Sequence, residues 1–281
     1  MQTSTIGVVG VGTKGSGIAQ VAATKGLDVI LIELNEAAVA KRLLRSGASR
    51  GHGLRGSQAG LYVIVEAATD DYDLKAKILK QMDKLVSGDA IIGSNTSSIS
   101  ITRLVSLFPH PDRLVGVHFF NPVSVMALIE IVRGLQTSDA THAAVATLAT
   151  RLGKSSISVK SAPGFVVNRV LLPMINEAFF VLAEGETSAK EIDEGMKLGC
   201  NHPIGPLALA DMIGLDVLLA VMQILHDEFA DSKYRPYPLL KGDGGRRVFW
   251  GASPVDASTV TRNRPVQGDR IRPLRDFFLQ H

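Results

Sequence analysis

The chain has 281 residues, a length that favours two domains. Its composition, 46% apolar and 20% charged, is typical of a folded globular protein and excludes a disordered chain. The net charge of +3 does not favour nucleic-acid binding, because the excess of basic residues is confined to 41–60 and 241–281 while the rest of the chain is net acidic.

The first 160 residues predict strands that alternate with helices. Short apolar runs rich in β-branched residues predict strands, and apolar residues at helical spacing predict helices. Unbroken apolar strands separated by helices are typical of a mostly parallel sheet covered on both faces. The predicted strands are 6–11, 28–34, 61–65, 90–94, 114–119, 128–132 and 156–159, and the predicted helices between them are 17–25, 74–86, 101–108 and 140–152.

After Ser161 the pattern becomes helical throughout, with predicted helices at 165–184, 189–198, 206–213 and 215–229. Strand–helix alternation followed by consecutive helices indicates two domains. We therefore expect an α/β domain over residues 1–161 and an all-helical domain over 162–281. Apolar residues after Lys241 follow neither the helical nor the strand period, and the segment is rich in Gly, Arg, Ser and Pro. We therefore predict a poorly ordered tail.

The cysteine content and the apolar runs bear on location. The single cysteine, Cys200, rules out an intramolecular disulfide and favours a reducing compartment. The run Ile6–Val11 is short, interrupted by glycine and not preceded by basic residues, so we expect no secretory signal. No stretch approaches the roughly 20 apolar residues of a membrane span. We expect a cytoplasmic protein that does not bind membranes.

A GxGxxG pattern, Gly10-Val-Gly-Thr-Lys-Gly15, follows the first predicted strand and opens a helix. Gly10 permits a tight turn, Gly12 lets the backbone approach a pyrophosphate, and Gly15 allows close packing of the helix. Glu33, near the end of the next predicted strand, would accept both ribose hydroxyls and repel a 2′-phosphate, which favours NAD over NADP. The alternative is a structural turn with an incidental acid. Lys14 either adds a cation near the pyrophosphate or supplies a long apolar contact.

His118 ends a predicted strand, at the edge where parallel sheets place their ligands. Glu130 follows inside the apolar run Ala127–Val132, where an unpaired carboxylate would be costly. A buried Glu beside a His is a general-base arrangement, because the carboxylate orients the imidazole and stabilises the imidazolium. A structural ion pair is the alternative interpretation.

Two further polar segments lie near predicted element ends. The hydroxyl-rich stretch Ser94–Ser100 either caps the next helix or binds an oxygen of a substrate. Asn168, in Pro163–Arg169, lies one turn into a mostly apolar helix, where its amide makes either a packing hydrogen bond or a substrate contact.

Together these motifs resemble the 3-hydroxyacyl-CoA dehydrogenases, and among them the bacterial 3-hydroxybutyryl-CoA dehydrogenases. The resemblance covers residues 5–40 and 61–240. It rests on the glycine loop, on SNTSS at Ser94–Ser98, HFFNP at His118–Pro122, PGFVVNR at Pro163–Arg169 and GPLALAD at Gly205–Asp211.

The resemblance implies an NAD-binding Rossmann domain and a helical domain that pairs two subunits, with an acyl-CoA as substrate and no metal. It implies that His118 is the catalytic base, that Glu130 is its partner, and that Ser97 and Asn168 contact the reacting oxygen. The NAD contacts that it implies are Gly10, Gly12, Gly15, Glu33, Asp70 (where the family usually has Glu), Lys75, Ser97 and Asn121.

The chain also departs from the family. Lys14 stands where Met is usual, and the segment between Glu33 and Glu66 is too short for the helical pair that helps to hold CoA. The usual ending is missing after Lys241. The two unusual segments are 41–60 and 241–281. Each can be back-translated and shifted by one nucleotide to approach the family's sequence, so we hypothesise that both are frame-shifted. Two alternative functions follow: an NAD-binding protein with impaired turnover, and a dehydrogenase of a free 3-hydroxy acid.

Overall fold

A computed structural model describes residues 5–32, 61–86 and 88–241. Glu33, the short segment that follows it and the tail after Lys241 lie outside the described residues. The strands are β1 (Thr5–Val9), β2 (Asp28–Ile32), β3 (Leu61–Glu66), β4 (Ile91–Ser94), β5 (Leu114–Phe119), β6 (Leu128–Arg133) and β7 (Ser155–Lys160). The α-helices are α1 (Thr13–Thr24), α2 (Tyr72–Leu85), α3 (Ile101–Val105), α4 (Asp139–Arg151), α5 (Val167–Ala183), α6 (Ala189–Cys200), α7 (Pro206–Ile213) and α8 (Leu215–Phe229).

Within the described residues, seven strands form one sheet in the order β2-β1-β3-β4-β5-β6-β7. All neighbours are parallel except β5 and β6, which are antiparallel. The short connection between β5 and β6 explains this exception, because a parallel crossover needs about a dozen residues or more. The predicted Rossmann-type class, a mostly parallel sheet followed by helices, is confirmed.

Helices cover both faces of the sheet. Along β3, Val63 and Val65 belong to one apolar cluster and Ile64 to the other, because successive side chains point to opposite faces. Ile18 of α1 and Leu148 of α4 pack into the first cluster. The second cluster contains residues of α2 and α3, namely Ala76, Ile78, Leu79, Met82, Ile101, Leu104 and Val105.

The amino end of α1 differs from those of α2, α3 and α4. Side chains of Asp71, Ser100 and Ser138 accept hydrogen bonds from the first turns of these three helices. Gly12 precedes α1 and supplies no side-chain cap, and the first turn of α1 has no acidic residue. No acidic or capping side chain therefore uses the amide donors and the partial positive charge of this helix end, and a bound anion could interact with them.

Two predicted helices differ from the observed ones by three residues or more at one end. Helix α1 begins at Thr13, four residues before the predicted start, because the glycine loop passes directly into the helix. Helix α3 ends at Val105, three residues before the predicted end at Phe108. There the N–H groups of Leu107 and Phe108 bond to carbonyls three residues back, and the following Pro109 disfavours helical geometry at Phe108.

The chain divides into two compact units, Met1–Met174 with Ala220–Arg235, and Ile175–Leu219 with Pro236–His281. In the second unit, Asp193 of α6 accepts hydrogen bonds from the N–H groups of Leu207 and Ala208 in α7. A Cβ at Gly205 would lie 2.2 Å from Asp193, so the close contact needs glycine. The predicted domain boundary near residue 161 stays a prediction.

In the described ranges, no single helix has the length and apolar character to cross a membrane. Helices α7 and α8 meet those criteria only as a pair, and they are bent by 98° where they meet.

We expect Gly15→Ala to lower the free energy of unfolding by about 1–3 kcal/mol, the usual cost of overpacking. The added Cβ would lie 1.9 Å from the carbonyl oxygen of Gly10. Urea unfolding followed by circular dichroism measures the change. The matched control is Gly12→Ala, whose Cβ would meet no atom within 4 Å and whose cost we expect to stay below about 1 kcal/mol. Equal losses in both variants would contradict the packing role of Gly15.

Candidate active site

The glycine loop joins β1 to α1 at the carboxyl edge of the sheet. Gly10 has φ +99°, a conformation that side chains rarely adopt, and a Cβ there would lie 2.7 Å from the Cα of Ala68. Gly15 packs directly on the carbonyl of Gly10. At Gly12 no atom lies within 4 Å of the Cβ position, so open space borders this part of the loop. The arrangement fits a dinucleotide, because a pyrophosphate can approach the backbone at Gly12 and the uncapped end of α1.

Lys14 is half-buried in the first turn of α1. Burial lowers its pKa below the ordinary 10.5, while Asp70 raises that pKa and Lys75 lowers it. A cation at a helix amino end is unfavourable in itself. Lys14 therefore lies within electrostatic reach of Asp70 and Lys75, in the helix turn that follows the glycine loop.

A second charged cluster lies where β3 and β4 end. The ammonium of Lys75 donates to Oε2 of Glu66 at 2.5 Å, and both side chains are fully buried. The Ser94 hydroxyl donates to the same carboxylate at 3.2 Å, and the Ala68 N–H donates to its other oxygen at 2.8 Å. Glu66 therefore holds the turn after β3, where Asp70 follows, against α2 and β4. Lys75, expected as an NAD contact, uses its ammonium within this cluster.

His118 and Glu130 lie directly opposite each other on the antiparallel pair β5 and β6. Nδ1 of His118 is 2.7 Å from Oε2 of Glu130, and both residues are buried. Oε1 of Glu130 accepts hydrogen bonds from the N–H groups of Val166 and Val167 at 3.1 and 2.9 Å. One carboxylate therefore links the imidazole to the amino end of α5, the helix that carries Asn168.

The chain turns sharply just before α5. Gly164 and Phe165 have φ values of +70° and +51°, and a bulky residue rarely adopts the second conformation. This turn presents consecutive N–H groups to Glu130, and it places the Phe165 ring 5.6 Å from the His118 ring. The ring of Phe120 lies 4.5 Å away. The imidazole is therefore enclosed by aromatic rings and one carboxylate.

The environment opposes charge on His118. Burial lowers its pKa below the ordinary 6.5, and the Glu130 hydrogen bond raises it; Lys14 lowers it further, while the charges of Glu130 and Asp70 raise it. Burial raises the pKa of Glu130, but the hydrogen bonds from His118, Val167 and Val166 outweigh burial and lower that pKa on balance. The site therefore pairs a neutral imidazole with an ionised carboxylate, which is the state required of a general base.

Of the remaining predicted residues, Ser97 and Asn121 lie in loops, and Asn168 lies in the first turn of α5. Ser97 lies half-buried after β4, in a turn where Thr96 Oγ1 accepts from the N–H of Ile99 at 3.0 Å. Ser100, in the same stretch, caps α3, so the capping interpretation of this segment is correct at Ser100. Asn168 is half-buried, and Asn121 is exposed just after β5. Glu33 lies outside the described residues.

Sequence reasoning missed the roles of Glu66 and Asn95, which are both buried beside the site. Glu66 follows an apolar run, so the argument that singled out Glu130 would also have found Glu66, with Lys75 nine residues later as its partner. Asn95 belongs to a motif already noted, but no local pattern reveals that its amide oxygen accepts from the N–H of Phe119.

Comparison with known proteins identifies the family. The profile of the 3-hydroxyacyl-CoA dehydrogenase NAD binding domain matches residues 5–53 and 52–162, and that of the 3-hydroxyacyl-CoA dehydrogenase C-terminal domain matches residues 164–242. Similar curated proteins include a 3-hydroxybutyryl-CoA dehydrogenase of Clostridioides difficile, 42% identical over 84% of this chain and 92% of its own length. A probable 3-hydroxybutyryl-CoA dehydrogenase of Bacillus subtilis (strain 168) is 43% identical over 86% of this chain and 92% of its own.

Solved structures agree. The crystal structure of (S)-3-hydroxybutyryl-CoA dehydrogenase from Ralstonia eutropha has 54% identity and a TM-score of 0.79, covering 85% of this chain and 92% of its own. The predictions of an NAD-dependent oxidoreductase and of its family are confirmed. The chain belongs to the 3-hydroxyacyl-CoA dehydrogenase family.

Proposed function

We propose that this enzyme oxidises a short-chain (S)-3-hydroxyacyl-CoA to the 3-oxoacyl-CoA with NAD, and catalyses the reverse reaction. The observation that carries the proposal is the buried pair of His118 and Glu130, 2.7 Å apart, on the strands β5 and β6. Relatives named 3-hydroxybutyryl-CoA dehydrogenases support the substrate class.

In the proposed reaction His118 is the base. Its Nδ1 faces Glu130, which leaves Nε2 to take the proton of the C3 hydroxyl group. Glu130 holds the ring and stabilises the imidazolium that forms, as carboxylates do in comparable dyads. Ser97 and Asn168 hold the reacting oxygen through hydrogen bonds. NAD, when bound, supplies the acceptor for the C3 hydride.

The cofactor would lie on the glycine loop. Gly10, Gly12 and Gly15 bring the backbone and the open end of α1 to the pyrophosphate. Further contacts would come from the other residues carried over from the family, namely Glu33, Asp70, Lys75, Ser97 and Asn121. For Lys75 this requires a cofactor group beside the Glu66 carboxylate that already holds its ammonium.

We also propose that two subunits pair through the helical region. In the second unit, Leu198 of α6 is 85% exposed and Met212 of α7 is 56% exposed. Large apolar side chains on a surface are consistent with such a contact.

We expect His118→Ala to lower kcat by about 10²–10⁴-fold, the usual contribution of general acid–base catalysis. NADH oxidation with acetoacetyl-CoA measures this loss. His226→Ala is the matched control, because His226 also has Nδ1 near a carboxylate, that of Asp227 at 3.4 Å. Turnover of the His118 variant at the level of the control would contradict the proposed base.

The substrate class is tested by comparing acetoacetyl-CoA with free acetoacetate. We expect a higher kcat/KM for the CoA ester, since the binding energy of remote substrate groups contributes to catalysis. A preference for acetoacetate would favour a dehydrogenase of free 3-hydroxy acids. NADH binding without turnover on either compound would favour the impaired NAD-binding protein.

The pKa of His118 predicts the pH dependence of alcohol oxidation. The neutral imidazole is the active form, so kcat/KM stays high above the lowered pKa and falls as the pH drops through it, below 6.5. Lys14→Met removes a charge that opposes the imidazolium, which raises the pKa of His118. We expect the acid limb of the kcat/KM profile for 3-hydroxybutyryl-CoA to move to higher pH.

Lys25→Met is the control for this shift. It removes the same charge from the far end of α1, where Lys25 is exposed and its side chain lies beside Gly153. An equal displacement of the acid limb in both variants would show that net charge, rather than Lys14 itself, acts on the site.

A further inference from the structure

Asn95 directly follows the last residue of β4, and its side chain forms a hydrogen bond to the neighbouring strand β5. The last rung between β4 and β5 joins Ser94 to Gly116, but β5 runs on to Phe119. Oδ1 of Asn95 accepts a hydrogen bond from the N–H of Phe119 at 2.9 Å. The Asn95 side chain therefore supplies a bond to β5 beyond the end of its neighbouring strand.

Asn95 is itself firmly held. It is 4% exposed, and its own N–H donates to the carbonyl of Glu66 at 2.7 Å. The preceding residue, Ser94, donates its hydroxyl to the Glu66 carboxylate. Since a backbone N–H only donates, the Asn95 atom that faces Phe119 must be the amide oxygen. Asn95 thus joins β3, through its backbone, to β5, through its side chain.

The bond acts on the peptide that follows His118. The N–H of Phe119 and the carbonyl of His118 belong to one planar unit, so fixing this N–H restricts the backbone rotation that aims the imidazole. On the opposite side of β5, Glu130 holds the ring itself. We propose that Asn95 is a positioning residue of the dehydrogenase reaction, which fixes the peptide after His118 and so aligns the imidazole with the substrate.

This inference rests on the proposed function and adds a residue to it. We expect Asn95→Ala to lower kcat by about 10²-fold, the effect of a small displacement of a catalytic group. We expect the KM for acetoacetyl-CoA and the Kd for NADH to change by less than about threefold, because the peptide shift affects the chemical step rather than binding. Asn95→Asp keeps an acceptor oxygen in place, so we expect it to recover at least about tenfold in kcat over the alanine variant.

A matched control separates positioning from stability. Asn176 is 3% exposed, and its Oδ1 accepts from the N–H of Tyr237 at 2.8 Å, the same kind of buried bond. We expect Asn176→Ala to lower the melting temperature as Asn95→Ala does while keeping kcat within about threefold. Parallel losses of kcat and melting temperature in both variants would overturn the proposal, and so would an aspartate variant as slow as the alanine variant.

Hydrogen exchange of the full chain tests the bond without activity. We expect the Phe119 amide to exchange faster in Asn95→Ala than in the wild type and to be protected again in Asn95→Asp. Unchanged exchange in the alanine variant would overturn the proposal. A wild-type chain without turnover on acetoacetyl-CoA would contradict the proposed function, whereas an active wild type with an equally active Asn95→Ala would contradict only the role of Asn95.

Discussion

The candidate site depends on the way one buried carboxylate is satisfied. Glu130 is fully buried in β6, and an ionised carboxylate in such a place is tolerated only when its oxygens find donors. One oxygen bonds to His118 and the other to two N–H groups before and at the start of α5. The buried carboxylate therefore links the antiparallel strands β5 and β6 to the turn at Phe165. Its hydrogen bond with His118 fixes the orientation of the imidazole.

A second buried carboxylate organises the neighbouring edge in the same way. Glu66 gathers a lysine, a serine and a backbone N–H at the ends of β3 and β4. Its carbonyl also receives the N–H of Asn95, whose side chain reaches β5. A continuous set of hydrogen bonds therefore runs from the turn beside the glycine loop to the peptide next to His118. Such a network rigidifies a site only when every member is satisfied.

Lys14 adds a positive charge beside the glycine loop. This cation stands at a helix end that already carries partial positive charge. Lys14 is half-buried, Asp70 and Lys75 act on its pKa, and its own charge lowers the pKa of His118. Lys14 and burial both lower the pKa of His118, so Lys14 favours the neutral form of the imidazole.

Local patterns in the sequence were sufficient to predict the elements, and they singled out His118 and Glu130, which the structure brings together. Periodicity predicted the strands and helices, because burial of one or two faces imposes a period on apolar residues. Glycine spacing predicted the turn between β1 and α1. The predicted start of α1 and the predicted end of α3 were wrong. The start at Thr13 depends on the geometry of the glycine loop, and the end at Val105 depends on the hydrogen bonds of Leu107 and Phe108 to carbonyls three residues back.

Only the tertiary structure decided which polar groups meet. Residues twelve positions apart, His118 and Glu130, became cross-strand partners because β6 runs antiparallel to β5 in one register. The contact of Asn95 with Phe119 follows from the different lengths of β4 and β5, which no local pattern encodes. The sequence by itself determined the residue types, the periods and the buried charges that needed partners. Long-range backbone pairing chose the partners, because the register of a sheet is set by the whole of its strands.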